Sequence, residues 1–403
     1  MGDIERGSIR VQGFSDAEMD FQLIRQLGAI SARAASAGEC LQLAAEIGGN
    51  DPARWVEAFA RQAKWQEEDG LNRLHRNHAI SGREQLLKAS QSFRAAEYYA
   101  PSATEEQAQL GNQSADCFIA AMATSDFHFE RHHIEWEDIQ LPTYFISPAD
   151  DGRCRDTIMI ISGFDGTLEE EFLMRGMAAV ERGYNVIHFA GPGQMDVFRS
   201  YADTAFRPDY EKVVREVIDY FSQREEVNMD TLALMGISFG GYFATRAAVA
   251  EPRIKRLIAN SPILNLHAYL AAFTGMDPAE MPKEEDFSLA DLPNIPEEEM
   301  SKQLAAQSSQ LMIRFGRRSF REVFIHLREY QVDESLLSKL SIPCLAMIGS
   351  SEGAEPYKQY ERFAKLTKAA TFEFTNTQGA STHCQVGNVN FANAVVYDWL
   401  DEL

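Results

Sequence analysis

At 403 residues the chain is longer than a single hydrophobic core ordinarily grows, so a large domain with a smaller companion is expected. Hydrophobic residues at 45% and charged residues at 24% are the proportions of an ordinary globular protein. The formal net charge of -22 speaks against nucleic acid and against an anionic membrane surface as partners, since both demand clustered Lys and Arg.

The N-terminal MGDIERGSIR lacks the apolar core of a signal peptide, and no apolar run approaches the ~18 residues of a membrane span. Five cysteines without short paired spacings suit reduced thiols in a cytoplasmic setting better than a disulfide framework or a zinc site. From about Asp16 to Ser125 the apolar residues recur at helical spacing. Leu86, Ala89, Phe93, Ala96 and Tyr99 follow steps of three and four until Pro101, and Asp51 with Pro52 opens another helix. Residues 1–127 therefore read as a helical domain of about five helices. His75 and His78, three apart with no third ligand nearby, read as a polar helix face and not as a metal site.

Beyond Phe127 the period changes. FHFERHHIEWED and LPTYFISPAD alternate like a strand pair, with His132 and His133 on a strand face. The runs TIMIISG, YNVIHFAG, TLALMGIS, IKRLIANSP, IPCLAMIGS and ATFEFT then alternate with helical stretches. Residues 128–403 are accordingly an α/β domain with a doubly wound, mostly parallel sheet covered on both faces. At about 263–338 the alternation gives way to a helical insertion with a proline-rich acidic middle, in which Tyr269, Phe273, Phe315, Phe320 and Phe324 mark packed helices. FAGPGQMDVF is not G-x-G-x-x-G and predicts no dinucleotide site.

GISFG, Gly236 to Gly240, directly follows the run TLALM and directly precedes the helical YFATRAAVA. This strand–turn–helix setting is that of a nucleophile elbow, so tight that residues two before and two after the serine must lack side chains. Ser238 is the predicted nucleophile, and it needs a base held by a third group. His383, after the strand-like ATFEFT, is the candidate base. The acid belongs on the loop after IPCLAMIGS, where Glu352 is favoured over Glu355 and the more distant Asp333. Acyl chemistry also needs N–H donors for the developing oxyanion. The backbone of Phe239 supplies one and that of Phe164 in ISGFDGTLEEEF the other, with Asp165 next in line; Thr167 and Glu170 read as a capping box.

Taken together, the helical N-terminal region, GFDGTLEEEF, AGPGQ, GISFGGYFA and GASTHCQVGN resemble the α/β-hydrolase group that includes 2,6-dihydroxypseudooxynicotine hydrolase, the fungal yellowish-green pigment polyketide hydrolases and the fermentation–respiration switch protein. The resemblance implies an α/β-hydrolase fold with a helical N-terminal domain that covers the site and contributes to a homodimer. It implies hydrolysis of a carbon–carbon bond beside a ketone in an aromatic or polyketide-like small molecule. Carried over residue by residue, Ser238 is the nucleophile, His383 the base and Glu352 the acid. No metal and no cofactor are required. The group commonly has Asp before GPGQ where this chain has Ala190. Asp165, Tyr98, Tyr99, Phe273 and Phe324 are candidate substrate contacts. Ester or thioester hydrolysis, or acyl transfer and lactonisation, would use the same three residues and stay open, as does a non-catalytic scaffold.

Overall fold

The computed structural model describes residues 13–273 and 309–403, and the chain divides into two compact units, the second of which begins at Asp126. In the first, five α-helices run in chain order among the described residues: α1 (Ala17–Gly28), α2 (Ala37–Ile47), α3 (Pro52–His75), α4 (Ala79–Tyr99) and α5 (Glu105–Met122). Side chains cap four of them: Asp16, Ser36, Asp51 and Thr104 each accept from a backbone N–H of the first turn, and Pro52 follows Asp51. Trp55, Phe59, Phe93 and Phe118 fill the core of this unit, and the Trp55 indole donates to Ala95 O at 2.8 Å. His75 closes α3 and His78 immediately precedes α4, so the pair flanks a turn instead of sharing a helix face.

The second unit is built on a sheet whose eight strands among the described residues are β1 (His128–Trp136), β2 (Ile139–Ser147), β3 (Arg155–Ile161), β4 (Asn185–Phe189), β5 (Val227–Ile237), β6 (Arg256–Asn260), β7 (Cys344–Gly349) and β8 (Ala370–Phe374). Their order is β1-β2-β4-β3-β5-β6-β7-β8; β2 is antiparallel to both its neighbours and every other pairing is parallel. Every residue of β4 and β7 is buried, the pattern of parallel strands covered on both faces. The helix Glu211–Phe221 contributes Val213, Val214, Val217, Ile218 and Phe221 to the core, a stripe set by the 3.6-residue period.

Chain order reverses at β3, whose sheet neighbours are β4 on one side and β5 on the other. A crevice opens at such a switch point beyond the carboxyl ends of the strands. The turns leaving β3 and β5 therefore meet where a ligand can enter. Of the insertion, the structure describes the helices Leu266–Phe273, Phe320–Leu327 and Glu334–Leu337. The acidic middle expected there, and the side chains of Phe273 and Phe320, lie outside the described residues. No helix among the described residues is long and apolar enough to cross a membrane.

Candidate active site

β5 ends at Ile237, the helix Gly240–Ala250 begins three residues later, and Ser238 between them has φ +56°. A non-glycine residue in that left-handed region is strained, which is the signature of a serine forced out of the sheet at its carboxyl edge. The neighbouring glycines are steric necessities. A Cβ on Gly236 would overlap the carbonyl of Gly240, and one on Gly240 would overlap the carbonyl of Ile161 at the end of β3. The Ser238 N–H donates to Asn260 O at 2.6 Å, tying the turn to the end of β6.

His383 lies on the loop after β8 and opens the short 3-10 turn His383–Gln385. Its Nε2 is 2.8 Å from Ser238 Oγ and its Nδ1 is 2.7 Å from Glu352 Oε2. Several contacts hold this loop. Arg175, buried in the π-helical turn Phe172–Gly176, donates to Cys384 O at 2.5 Å, and Asn260 donates from Nδ2 to Gln385 Oε1 at 2.8 Å. Ser351 N–H reaches Ser381 O at 3.0 Å, which joins the loop to that after β7.

Glu352 sits on that β7 loop with its side chain only 2% exposed. Its Oε1 accepts from the Gly349 N–H at 2.8 Å, while Oε2 accepts from Ser261 Oγ at 3.2 Å and lies 3.5 Å from the Tyr269 hydroxyl. Glu355 instead faces Gln359 and Lys358 within the helix Ala354–Thr367, and Asp333 caps the helix Glu334–Leu337. Of the three carboxylates considered, Glu352 is the one beside His383. Burial, the largest influence on His383, disfavours its imidazolium; Cys384, Tyr269 and Glu352 oppose it and outweigh it, so the ring is more basic than a free histidine. The Glu352 carboxylate is the opposing group in direct hydrogen-bond contact with the ring.

The loop leaving β3 carries Gly163 and Phe164 past the serine. A Cβ on Gly163 would lie 2.7 Å from Ser238 Cβ and 3.1 Å from its Oγ, so the backbone passes close enough to the hydroxyl that only glycine fits without displacement. Among the described residues neither the Phe164 nor the Phe239 N–H meets a hydrogen-bond acceptor. Two donors thus remain available on the turns that follow β3 and β5. Thr167 Oγ1 accepts from Glu170 N–H at 3.3 Å and caps the helix behind this loop.

Two residues that motif reading did not single out fasten the β3 loop. Gln194, fully buried, donates from Nε2 to both Ser162 O and Ser162 Oγ at 2.9 Å, while its Oε1 accepts from the Gly191 N–H at 2.7 Å and from the Tyr210 hydroxyl. Arg314, at the start of the described part of the insertion beyond residue 308, donates to Phe164 O at 2.6 Å and Gly193 O at 2.5 Å. The GPGQ block was the signal for Gln194. For Arg314 the only hint is a guanidinium set in the apolar run QLMIRFG.

The remaining candidates are dispersed. Asp165 is half-buried next to Phe164, and Phe324 is buried with its ring edge-on to His267. Phe273 is the last described residue of its helix, and its side chain is outside the described residues. Tyr98 and Tyr99 belong to the N-terminal unit, where Tyr98 donates to Glu18 at 2.6 Å and Tyr99 packs edge-on to Trp55. Among the described residues no group of three or more His, Cys, Asp and Glu could hold a metal.

The prolyl oligopeptidase family model matches residues 175–313. Hydrolyase poxO of Penicillium oxalicum is 31% identical over 264 residues, covering 63% of this chain and 62% of its own length. The 20-hydroxy-prefusarin hydrolase FUS2 of Gibberella moniliformis is 29% identical over 263 residues, again 63% and 62% of the two chains. The solved structure of 2,6-dihydroxy-pseudo-oxynicotine hydrolase superposes with a TM-score of 0.70, covering 93% of this chain and 94% of that one. The chain has the α/β-hydrolase fold. At 20% identity the structural likeness is one of fold, and it extends through the helical N-terminal region of this chain. The chain spans just under two thirds of the length of the curated relatives it matches.

Proposed function

We propose that the chain is a serine hydrolase in which Ser238 attacks a substrate carbonyl, His383 is the base and Glu352 the acid that orients it. The observation that carries this reading is one imidazole hydrogen-bonded through Nε2 to Ser238 at 2.8 Å and through Nδ1 to Glu352 at 2.7 Å. The carboxylate keeps the proton on Nδ1, which leaves the Nε2 lone pair facing the serine O–H. As Ser238 Oγ bonds to the carbonyl carbon, its proton passes to Nε2 and the carbonyl oxygen becomes an oxyanion held by the N–H groups of Phe164 and Phe239. Collapse expels the leaving group, which takes the proton from His383. Water, deprotonated by the same histidine, then releases the acid and restores Ser238.

We infer further that the bond broken is a carbon–carbon bond next to a ketone, in a β-diketone or acyl-arene of aromatic or polyketide-like character. The leaving group is then a carbanion and must be delocalised into a second carbonyl or a phenolic ring before protonation. Support comes from its similarity to the 20-hydroxy-prefusarin hydrolase and, in fold, to the 2,6-dihydroxy-pseudo-oxynicotine hydrolase, and from the GFDG, GPGQ and THCQ blocks. The protein is proposed to act in the cytoplasm as a homodimer without metal or cofactor; light scattering at micromolar concentration tests the dimer.

The deciding experiment is a hydrolysis panel that sets simple aryl esters against β-diketones and acylated polyhydroxyarenes. The ketones are expected to be preferred, with Ser238→Ala losing on the order of 10⁴–10⁶ in kcat. Preference for esters would assign a carboxylesterase, and a mass-shifted product with added alcohol would assign acyl transfer. Full activity of Ser238→Ala would sink the whole reading.

A further inference from the structure

We propose that Arg314 is a positioning residue that sets the oxyanion donor by locking the Phe164 loop to the loop after β4. The inference rests on the assignment of the Phe164 N–H as a donor in the proposed reaction. Arg314 is 1% exposed, and its guanidinium carbon stands 5.0, 5.2 and 5.1 Å from the ring centroids of Phe164, Phe198 and Phe206. In so aromatic a setting a side chain needed for packing alone would be apolar, because a buried guanidinium carries a heavy desolvation cost.

What the guanidinium adds is direction. Its rigid planar fork aims Nη2 at Phe164 O (2.6 Å), Nε at Gly193 O (2.5 Å) and Nη1 at Met195 Sδ (2.6 Å). Phe164 follows β3, whereas Gly193 and Met195 follow β4, so one side chain ties the turns of two neighbouring strands. Its own carbonyl accepts from the Phe206 N–H at 2.9 Å, which fixes the cation's backbone as well. On one side of the Phe164 N–H, Gly163 is pressed against Ser238; on the other, the Phe164 carbonyl is held by Arg314. The N–H between them is left little freedom to turn away from the serine.

The test uses the full chain, the best substrate of the panel, and the variants Arg314→Lys and Arg314→Ala, with active sites counted by fluorophosphonate titration. Lysine keeps the charge but not the fork, so both variants are expected to lose ~10²–10³ in kcat per titrated site while KM moves by less than about threefold. The affinity of a boronic acid that forms a tetrahedral adduct with Ser238 should fall with kcat, and added methylguanidinium should restore part of the Arg314→Ala loss. A lower melting temperature or fewer titratable sites, with kcat per site within about threefold of the parent, would overturn the proposal. Failure of the hydrolase reading itself is separate: there the parent already resists titration, or Ser238→Ala stays active.

Discussion

Glu352 meets His383 Nδ1 at 2.7 Å through the same carboxylate oxygen that Ser261 Oγ approaches at 3.2 Å and the Tyr269 hydroxyl at 3.5 Å. Its other oxygen is held by the Gly349 N–H at 2.8 Å. A buried carboxylate with donors on both oxygens has one orientation, and that orientation fixes the imidazole.

Replacing this carboxylate should therefore harm the chemistry far more than replacing its neighbours. Glu352→Gln is expected to lower kcat by about 10²–10⁴, because an amide in that place can favour the wrong imidazole tautomer. Glu355→Gln, whose native partners are Gln359 and Lys358, should stay within about threefold of the parent, as should Asp333→Asn. Steady-state kinetics on the three variants checks this, and equal losses in Glu352→Gln and Glu355→Gln would remove the assignment.

The raised basicity of His383 fixes the direction of the pH dependence. In the proposed reaction His383 must be neutral to accept the Ser238 proton, so kcat/KM is expected to fall as pH drops through the His383 pKa, with that acid limb above the range of an ordinary histidine. In Glu352→Gln a raising influence is removed while burial remains, so the residual activity should show its acid limb at lower pH. For stability the sign is opposite: a group more basic when folded stabilises the fold below its unfolded pKa, and that contribution disappears as pH rises through the folded value. A pH–rate profile of parent and variant decides, and an unmoved limb would mean that Glu352 does not govern the ring.

The strands and the elbow were legible because their signals are local. Six apolar runs in the second half became β3 to β8, and GISFG carried its own steric reason in Gly236 and Gly240. The choice between Glu352 and Glu355 was legible only as a preference for Glu352, the carboxylate nearer the end of the strand. It depends on Gly353, at φ +97°, ending the loop so that Glu355 falls in the first turn of a helix and faces Gln359. Gln194 and Arg314 were missed because their partners lie 32 and 150 residues away, beyond the reach of any periodicity. A block such as GPGQ shows that a residue type matters there, whereas only the folded chain shows that its amide holds Ser162.

Gln194→Leu should expose that function. Removing the amide leaves Ser162 O, the Gly191 N–H and the Tyr210 hydroxyl without this partner in a buried site, and each such loss costs about 1–3 kcal/mol if nothing replaces it. Unfolding in urea should show the midpoint falling at unchanged slope. Because Ser162 directly precedes Gly163 and Phe164, kcat should fall as well. A variant that loses stability but keeps kcat would make the tether purely structural.

The strain at Ser238 predicts a trade between stability and activity. At φ +56° a side chain costs about 1–2 kcal/mol relative to glycine in the left-handed region, while glycine gives back up to ~1 kcal/mol through its more flexible unfolded chain. Ser238→Gly and Ser238→Ala both remove the hydroxyl, so both should be inactive, and their difference isolates the backbone. Ser238→Gly is expected to be the more stable by roughly 0.5–1 kcal/mol, read as a higher denaturation midpoint at equal slope. Alanine more stable than glycine by about 1 kcal/mol, the whole of the unfolded-chain difference, would mean that the turn holds no strain against a side chain, and the serine would then sit at that position at no cost to the fold.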